Sequence, residues 1–174
     1  MELTIGTRDE LEALDQALKT LDRLRGQIAR EAEVSGWSGD QHLYHIALAT
    51  DLALTNVAAL VAGKSPRILE KAEPSALALE VLARGGYPRG ESEAPRMVQP
   101  PEPVESDLLA EEFTGVRDSF EKARGLAEGI DSAPGAIEHH ALGPLSAAQW
   151  LRFARLHCEH HLAILRDIEA VSAE

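Results

Sequence analysis

Apolar residues recur along this chain at helical spacing in four stretches. In the first, Leu11, Leu14, Leu18, Leu21 and Ile28 stand three, four or seven residues apart. Thr7-Arg8-Asp9-Glu10 before them has the form of a capping box, in which the hydroxyl and the carboxylate each satisfy a free backbone N–H. The pattern predicts a helix from there to about Ala32. A second signal of the same form, Ser38-Gly39-Asp40-Gln41, opens a helix through Leu43, Ile46, Leu54, Val57, Leu60 and Val61 that Gly63 and Pro66 end. From about Glu105 to Ile130, the residues Leu109, Phe113, Val116, Phe120, Ala123, Ala127 and Ile130 alternate steps of four and three, the seam of a helix bundle. The last helix opens at Ser146-Ala147-Ala148-Gln149, with Leu145 and Trp150 placed as a hydrophobic staple, and runs to about Ala170.

Between the second and third of these helices the regular pattern fails. Residues 84–104 hold Gly85, Gly86, Gly90 and the prolines Pro88, Pro95, Pro100, Pro101 and Pro103, which disfavour regular structure; a short helix from about Pro74 to Ala83 precedes them. A connection this long suits a crossover between parallel helices, or a loop that covers a site. No strand pattern, internal repeat or low-complexity tract is visible. The predicted fold class is all-α, a four-helix bundle with a long crossover between helices two and three.

Length and charge narrow the function. At 174 residues the chain is expected to form one domain, residues 1–174, since a domain of about 150 residues buries roughly 68 to 70% of its unfolded surface. With 29 Asp and Glu against 17 Lys and Arg the formal charge is −12, and no basic stripe offsets it locally. Neither nucleic acid nor an anionic membrane surface is an expected partner. A single cysteine, Cys158, excludes an internal disulfide framework. Met1 to Thr7 lacks the basic start and apolar core of a signal peptide, and no apolar run reaches transmembrane length, so a soluble, cytoplasmic protein is expected.

The candidate chemistry lies in the histidines. Seven of them form three clusters: His42 with His45, His139 with His140, and His157 with His160 and His161. His157 and His161, four residues apart on the last helix, place their Cβ atoms roughly 5 to 6 Å apart on the stripe that also holds Trp150, Ala154, Ile164 and Ile168. Two inward imidazoles so placed, with another cluster in reach, favour a metal site over satisfied core histidines. His160 falls about 100° around the helix from His161. On the second helix, periodicity slightly prefers His42 to His45 as the inward residue and leaves both open.

Other metal and redox classes fail specific tests. A zinc protease of the His-Glu-x-x-His type needs Glu directly after the first His, where Cys158 stands, and Glu159 lies about 200° around from His157. A di-iron bundle needs Glu three residues before a His, which occurs nowhere here. Zinc fingers need more cysteines. Cys158 itself is turned about 100° from His157 and reads as a small buried residue. Arg152 and Arg155 read as solvated-face arginines.

The run Gly36-Trp37-Ser38-x-x-Gln41-His42-Leu43-x-His45, the middle crossover, Leu142-Gly143-Pro144-Leu145-Ser146-x-x-Gln149-Trp150-Leu151 and His157-x-x-x-His161-Leu162 together resemble the DinB/YfiT-like superfamily over nearly the whole chain. The resemblance implies a metal-binding four-helix bundle in which one His from helix two and a His-x-x-x-His pair from helix four hold a divalent ion, usually zinc or nickel. It selects the position eight residues after Trp37 and so implies His45, His157 and His161 as the histidine triad, with His42 in reserve. His139 occupies the place of the His in the family's His-Pro turn, while His140 stands where proline is common and Leu142 replaces a frequent aromatic.

Characterised members of that superfamily include S-transferases that use low-molecular-weight thiols and a maleylpyruvate isomerase. The resemblance therefore implies a metal-dependent thiol transferase or small-molecule hydrolase, acting on a small-molecule substrate with a thiol as possible cosubstrate. Three imidazoles leave a coordination position open, where a metal lowers the pKa of a thiol or water. The alternative is a non-catalytic metal-binding or structural helical module. Related chains often pair, and the wide apolar arc of helix one, Leu14, Leu18, Leu21 and Leu24, adds to the expectation of a homodimer.

Overall fold

The helices sought in the apolar pattern are present in the computed structural model, which describes residues 6–86 and 94–172. The order is α1 (Thr7–Arg23), α2 (Gly39–Ala62), α3 (Ala76–Arg84), a 3-10 turn (Arg96–Val98), α4 (Ser106–Gly125), α5 (Ala127–Ile130), strands β1 (Ile137–His139) and β2 (Gly143–Leu145), and α6 (Ala147–Ser172). Pro88 and Gly90 of the irregular connection lie outside the described residues.

The protein is mainly helical, and its core lies among four long elements. α2 packs on α6 and α4, and α1 packs on the same two. Leu14, Leu18, Leu21, Ile46, Leu54, Leu60, Leu109, Phe120 and Leu165 are fully buried between them. Contact on two sides explains why α2 is apolar around most of its circumference. Against the expectation that no apolar run reaches transmembrane length, α2 is long and apolar enough to cross a membrane by length and composition alone; more than half of that stretch is buried inside the protein. The leucines of α1 that pointed to a second interface are spent in this core: Leu14, Leu18 and Leu21 are buried and Leu24 packs against it.

Two of the three capping boxes form. Ser38 Oγ accepts from the Gln41 N–H and the Gln41 side chain accepts from the Ser38 N–H at 2.9 Å, while Gly63 closes α2 in the left-handed conformation at φ 62°. Ser146 and Gln149 make the same reciprocal pair before α6. At α1 the box does not form: Gly6 is the cap, the Thr7 hydroxyl bonds Asp131, and the Glu10 carboxylate reaches Arg155. α1 also ends nine residues before the expected boundary, at Arg23. Gly26 then takes a positive φ of 69° and donates to Asp40 at 2.9 Å, so Ile28 reaches the core from a loop. Ile28 lies so close to Gly39 that a Cβ there would meet the Ile28 Cβ at 2.5 Å.

The crossover is tied to the start of α2. Gln41 donates to the Pro101 carbonyl at 3.3 Å, and Arg30 bonds both Gln41 and Glu102. The strands correct the expectation of none. β1 and β2 pair antiparallel, Ile137 opposite Leu145 and His139 opposite Gly143, and Leu69 bridges to Ala136. Three-residue strands are too short to show an alternating pattern.

Candidate metal centre

Helix α2 delivers His42 and His45 from its second turn, and α6 delivers His157 and His161 from its middle; because these two helices pack together, the clusters meet. Nε2 of His157 lies 3.3 Å from Nε2 of His45 and 3.2 Å from Nε2 of His161. The ligand nitrogens of the three all fall within 4.8 Å of one another. Nitrogens bound 2.0 to 2.1 Å from a tetrahedral ion stand about 3.3 to 3.4 Å apart, so the spacing matches a metal site with little adjustment. His45 and His161 are buried, and His157 keeps part of its surface exposed, so the cluster is not sealed from solvent.

Counting protons sharpens the geometry. Nδ1 of His45 lies 2.8 Å from the Val98 carbonyl, which can only accept, so that nitrogen carries the proton and Nε2 presents a bare lone pair. It faces Nε2 of His157, which faces Nε2 of His161. When His157 and His161 carry their protons on Nδ1 as His45 does, three Nε2 lone pairs meet at one point, and a divalent cation is the group that would satisfy all three. The donor set therefore fits a metal. It is made of imidazoles alone, with no carboxylate among the described residues.

Burial keeps the rings neutral. It holds His157 and His161 well below the usual imidazole range, with their histidine neighbours adding to the shift. His45 is lowered by the same burial, against which the Val98 hydrogen bond acts. His42 is pushed down to about 4, by burial first and then by His45 and His160.

The two candidates on α2 thus take different places. His45 joins the triad, whereas His42 turns Nδ1 to Nδ1 of His161 at 3.0 Å and Nε2 to Ser35 Oγ at 2.8 Å, one layer behind the converging nitrogens. Burial does not separate the two as the slight preference of periodicity for His42 would have it, since His42 is 3% exposed and His45 4%. His160 is half-buried and stands outside the triad, with its ring edge-on to that of His161.

Aromatic rings complete the surroundings. Trp37 packs its ring on both His42 and His45, and Phe153, one turn before His157 on α6, stacks on the His157 ring at 5.3 Å. Phe153 carried a sequence signal, the i, i+4 spacing to His157, that the choice of Trp150 and Ala154 as the stripe passed over. His139, at the end of β1, packs against both Phe153 and Trp150. Its Nδ1 accepts from the N–H groups of Ala141 and Leu142 at 3.2 and 3.1 Å, and burial, then His140, lowers its pKa to about 4. The Val98 carbonyl and the Ser35 hydroxyl had no signal beyond their loop positions.

The remaining candidates are structural. Cys158 is fully buried 3.3 Å from the Thr50 hydroxyl, and burial pushes its thiol up to about 12, which makes it a poor nucleophile. The solvated-face reading of Arg155 is corrected: it is 7% exposed, bonded to the buried Glu10 of α1, and bridged to Glu159 at 2.7 Å. Arg152 is half-buried beside the same Glu10.

From residue 7 to residue 168 the chain matches the model of a family described as a protein of unknown function, DUF1569. No curated protein and no solved structure matches it.

Proposed function

The chain belongs to the DUF1569 family, whose function is unknown, and on that premise we propose that it is a divalent-metal-dependent enzyme of the DinB-like superfamily. Its four long helices are then read as a DinB/YfiT-like four-helix bundle, with His45, His157 and His161 as ligands and zinc or nickel as the ion. The observation that carries the reading is the meeting of three Nε2 atoms at 3.2 and 3.3 Å with a proton-bearing Nδ1 held outward on His45. A divalent ion bound by three imidazoles keeps a further position for a small ligand and lowers the pKa of a thiol or water there.

The protein's own groups set what such a site can do. Cys158 is buried and protonated, so the nucleophile comes from a cosubstrate or solvent: a low-molecular-weight thiol for S-transfer, or water for hydrolysis. The partial exposure of His157 marks the side from which a small substrate reaches the cluster, against the ring of Phe153. A cytoplasmic setting, and a homodimer formed through a face other than the Leu14–Leu21 stripe, belong to the same proposal.

One observation favours a second reading, a helical module that holds metal without turnover. Arg155 is committed to Glu10 and Glu159, and therefore offers no free cation to an anionic thiol. The two readings separate on mixing a panel of small thiols with a small electrophile. The enzyme reading predicts thiol loss above the uncatalysed rate with metal-loaded protein, and none of that excess with stripped protein or with His161→Ala. No difference among the three, with water included as the alternative nucleophile, selects the module.

A further inference from the structure

His42 has no place among the converging nitrogens, yet it is buried, at 3% exposure, and both of its ring nitrogens are engaged. Nδ1 stands 3.0 Å from Nδ1 of His161, and Nε2 stands 2.8 Å from Ser35 Oγ. The Trp37 ring packs edge-on to it at 5.4 Å. Ser35 Oγ in turn accepts from the Trp37 N–H at 3.2 Å. A line of polar groups thus runs from the loop before α2 to the back of His161.

That line has two self-consistent proton arrangements. In one, Ser35 Oγ accepts from Nε2–H of His42, and Nδ1 of His42 accepts from Nδ1–H of His161, so Nε2 of His161 faces the triad as a lone pair. In the other, every donor reverses: Ser35 donates to His42, His42 donates to His161, and His161 brings a proton on Nε2 to the point where the three nitrogens meet. Only the first leaves His161 able to ligate. His45 reaches the corresponding state differently, through a backbone carbonyl that can only accept.

We propose that His42, backed by Ser35, is a positioning residue that holds His161 in its Nδ1–H tautomer with the Nε2 lone pair turned toward the metal. The proposal rests on the metal reading above. It explains why a second histidine stands three residues before His45: ligating imidazoles generally donate their other N–H to an acceptor, and loss of that acceptor typically costs 10- to 100-fold in metal affinity. It also gives the half-buried Ser35 a role that its loop position alone does not.

The test uses the full chain and Zn(II) as the probe. Two quantities are measured: the ring-nitrogen tautomer of His161 in metal-free protein, by long-range 1H–15N correlation, and zinc affinity, by competition with a chromophoric chelator. His42→Phe keeps a ring but removes the acceptor, and its zinc affinity is expected to fall about 10- to 100-fold while His161 departs from the Nδ1–H form. His42→Asn, whose Oδ1 takes the place of Nδ1, is expected to recover most of the affinity and the tautomer, a rescue that loss of packing would not produce. A folded His42→Phe protein that binds zinc as tightly as wild type, or keeps His161 in the same tautomer, overturns the positioning role and leaves the metal reading standing. A wild-type protein that binds no zinc overturns both. If His42→Phe does not fold, the wild-type tautomer and the His42→Asn affinity decide: an Nε2–H His161, or an Asn variant weakened 100-fold, refutes the proposal.

Discussion

His157 supplies the nitrogen that both other members of the triad face, so its removal leaves His45 and His161 without their common neighbour. His157→Ala is expected to abolish stoichiometric zinc binding, and His160→Ala, outside the triad, to retain it. Equal losses in equilibrium dialysis would mean that α6 presents a different face. The metal-free protein is also expected to respond to pH. His42 and His139 are held neutral down to about 4 against an ordinary value of 6.5. Between those limits the unfolded chain binds more protons than the folded one, so stability falls as pH drops through the window, by about 1.4 kcal/mol per pH unit for each such imidazole. Urea midpoints at pH 7, 6 and 5 check this; a midpoint unchanged at pH 5 contradicts it. His157 and His161 were legible from clustering and i, i+4 spacing, and His45 only through the family resemblance. The choice of His45 over His42 was not settled by periodicity, because both rings are buried, and what separates them is whether a carbonyl or another imidazole lies behind the ring.

Among elements, α1 and α6 are joined by a buried ion pair that the sequence disguised. Glu10 looked like the last residue of a capping box and Arg155 like a surface arginine, yet each is the other's partner across 145 positions. Truncating one partner of a buried pair costs about 3 to 5 kcal/mol, because the other charge is left uncompensated. Glu10→Ala is expected at the lower end, since Glu159 still holds Arg155 from the exposed side. Replacing both by apolar residues of similar volume should cost much less. A double-mutant cycle in urea measures this, and additive single losses would contradict the coupling. Caps that act within four residues, Ser38 with Gln41 and Ser146 with Gln149, were readable because both partners are local. The early end of α1 was not, because Ile28 remains apolar and buried after the chain has left the helix and turned at Gly26.

At the scale of the whole molecule, four long helices were legible because packing on a shared core imposes a 3.6-residue apolar period. The hairpin was hidden by its brevity, and the service of the crossover to the site by its chemistry: the Val98 carbonyl that orients His45 belongs to a backbone, and any residue there supplies it. The packing of α2 against α6 is what turns two histidine clusters, separated by more than a hundred residues, into one site. Diffraction from zinc-loaded crystals, with the ion located by anomalous scattering, tests that account most directly. One peak per chain is predicted, about 2.0 to 2.2 Å from Nε2 of each of His45, His157 and His161, with His42 hydrogen-bonded behind His161. A peak ligated by His42 in place of His45, or no peak where the three nitrogens meet, would contradict it.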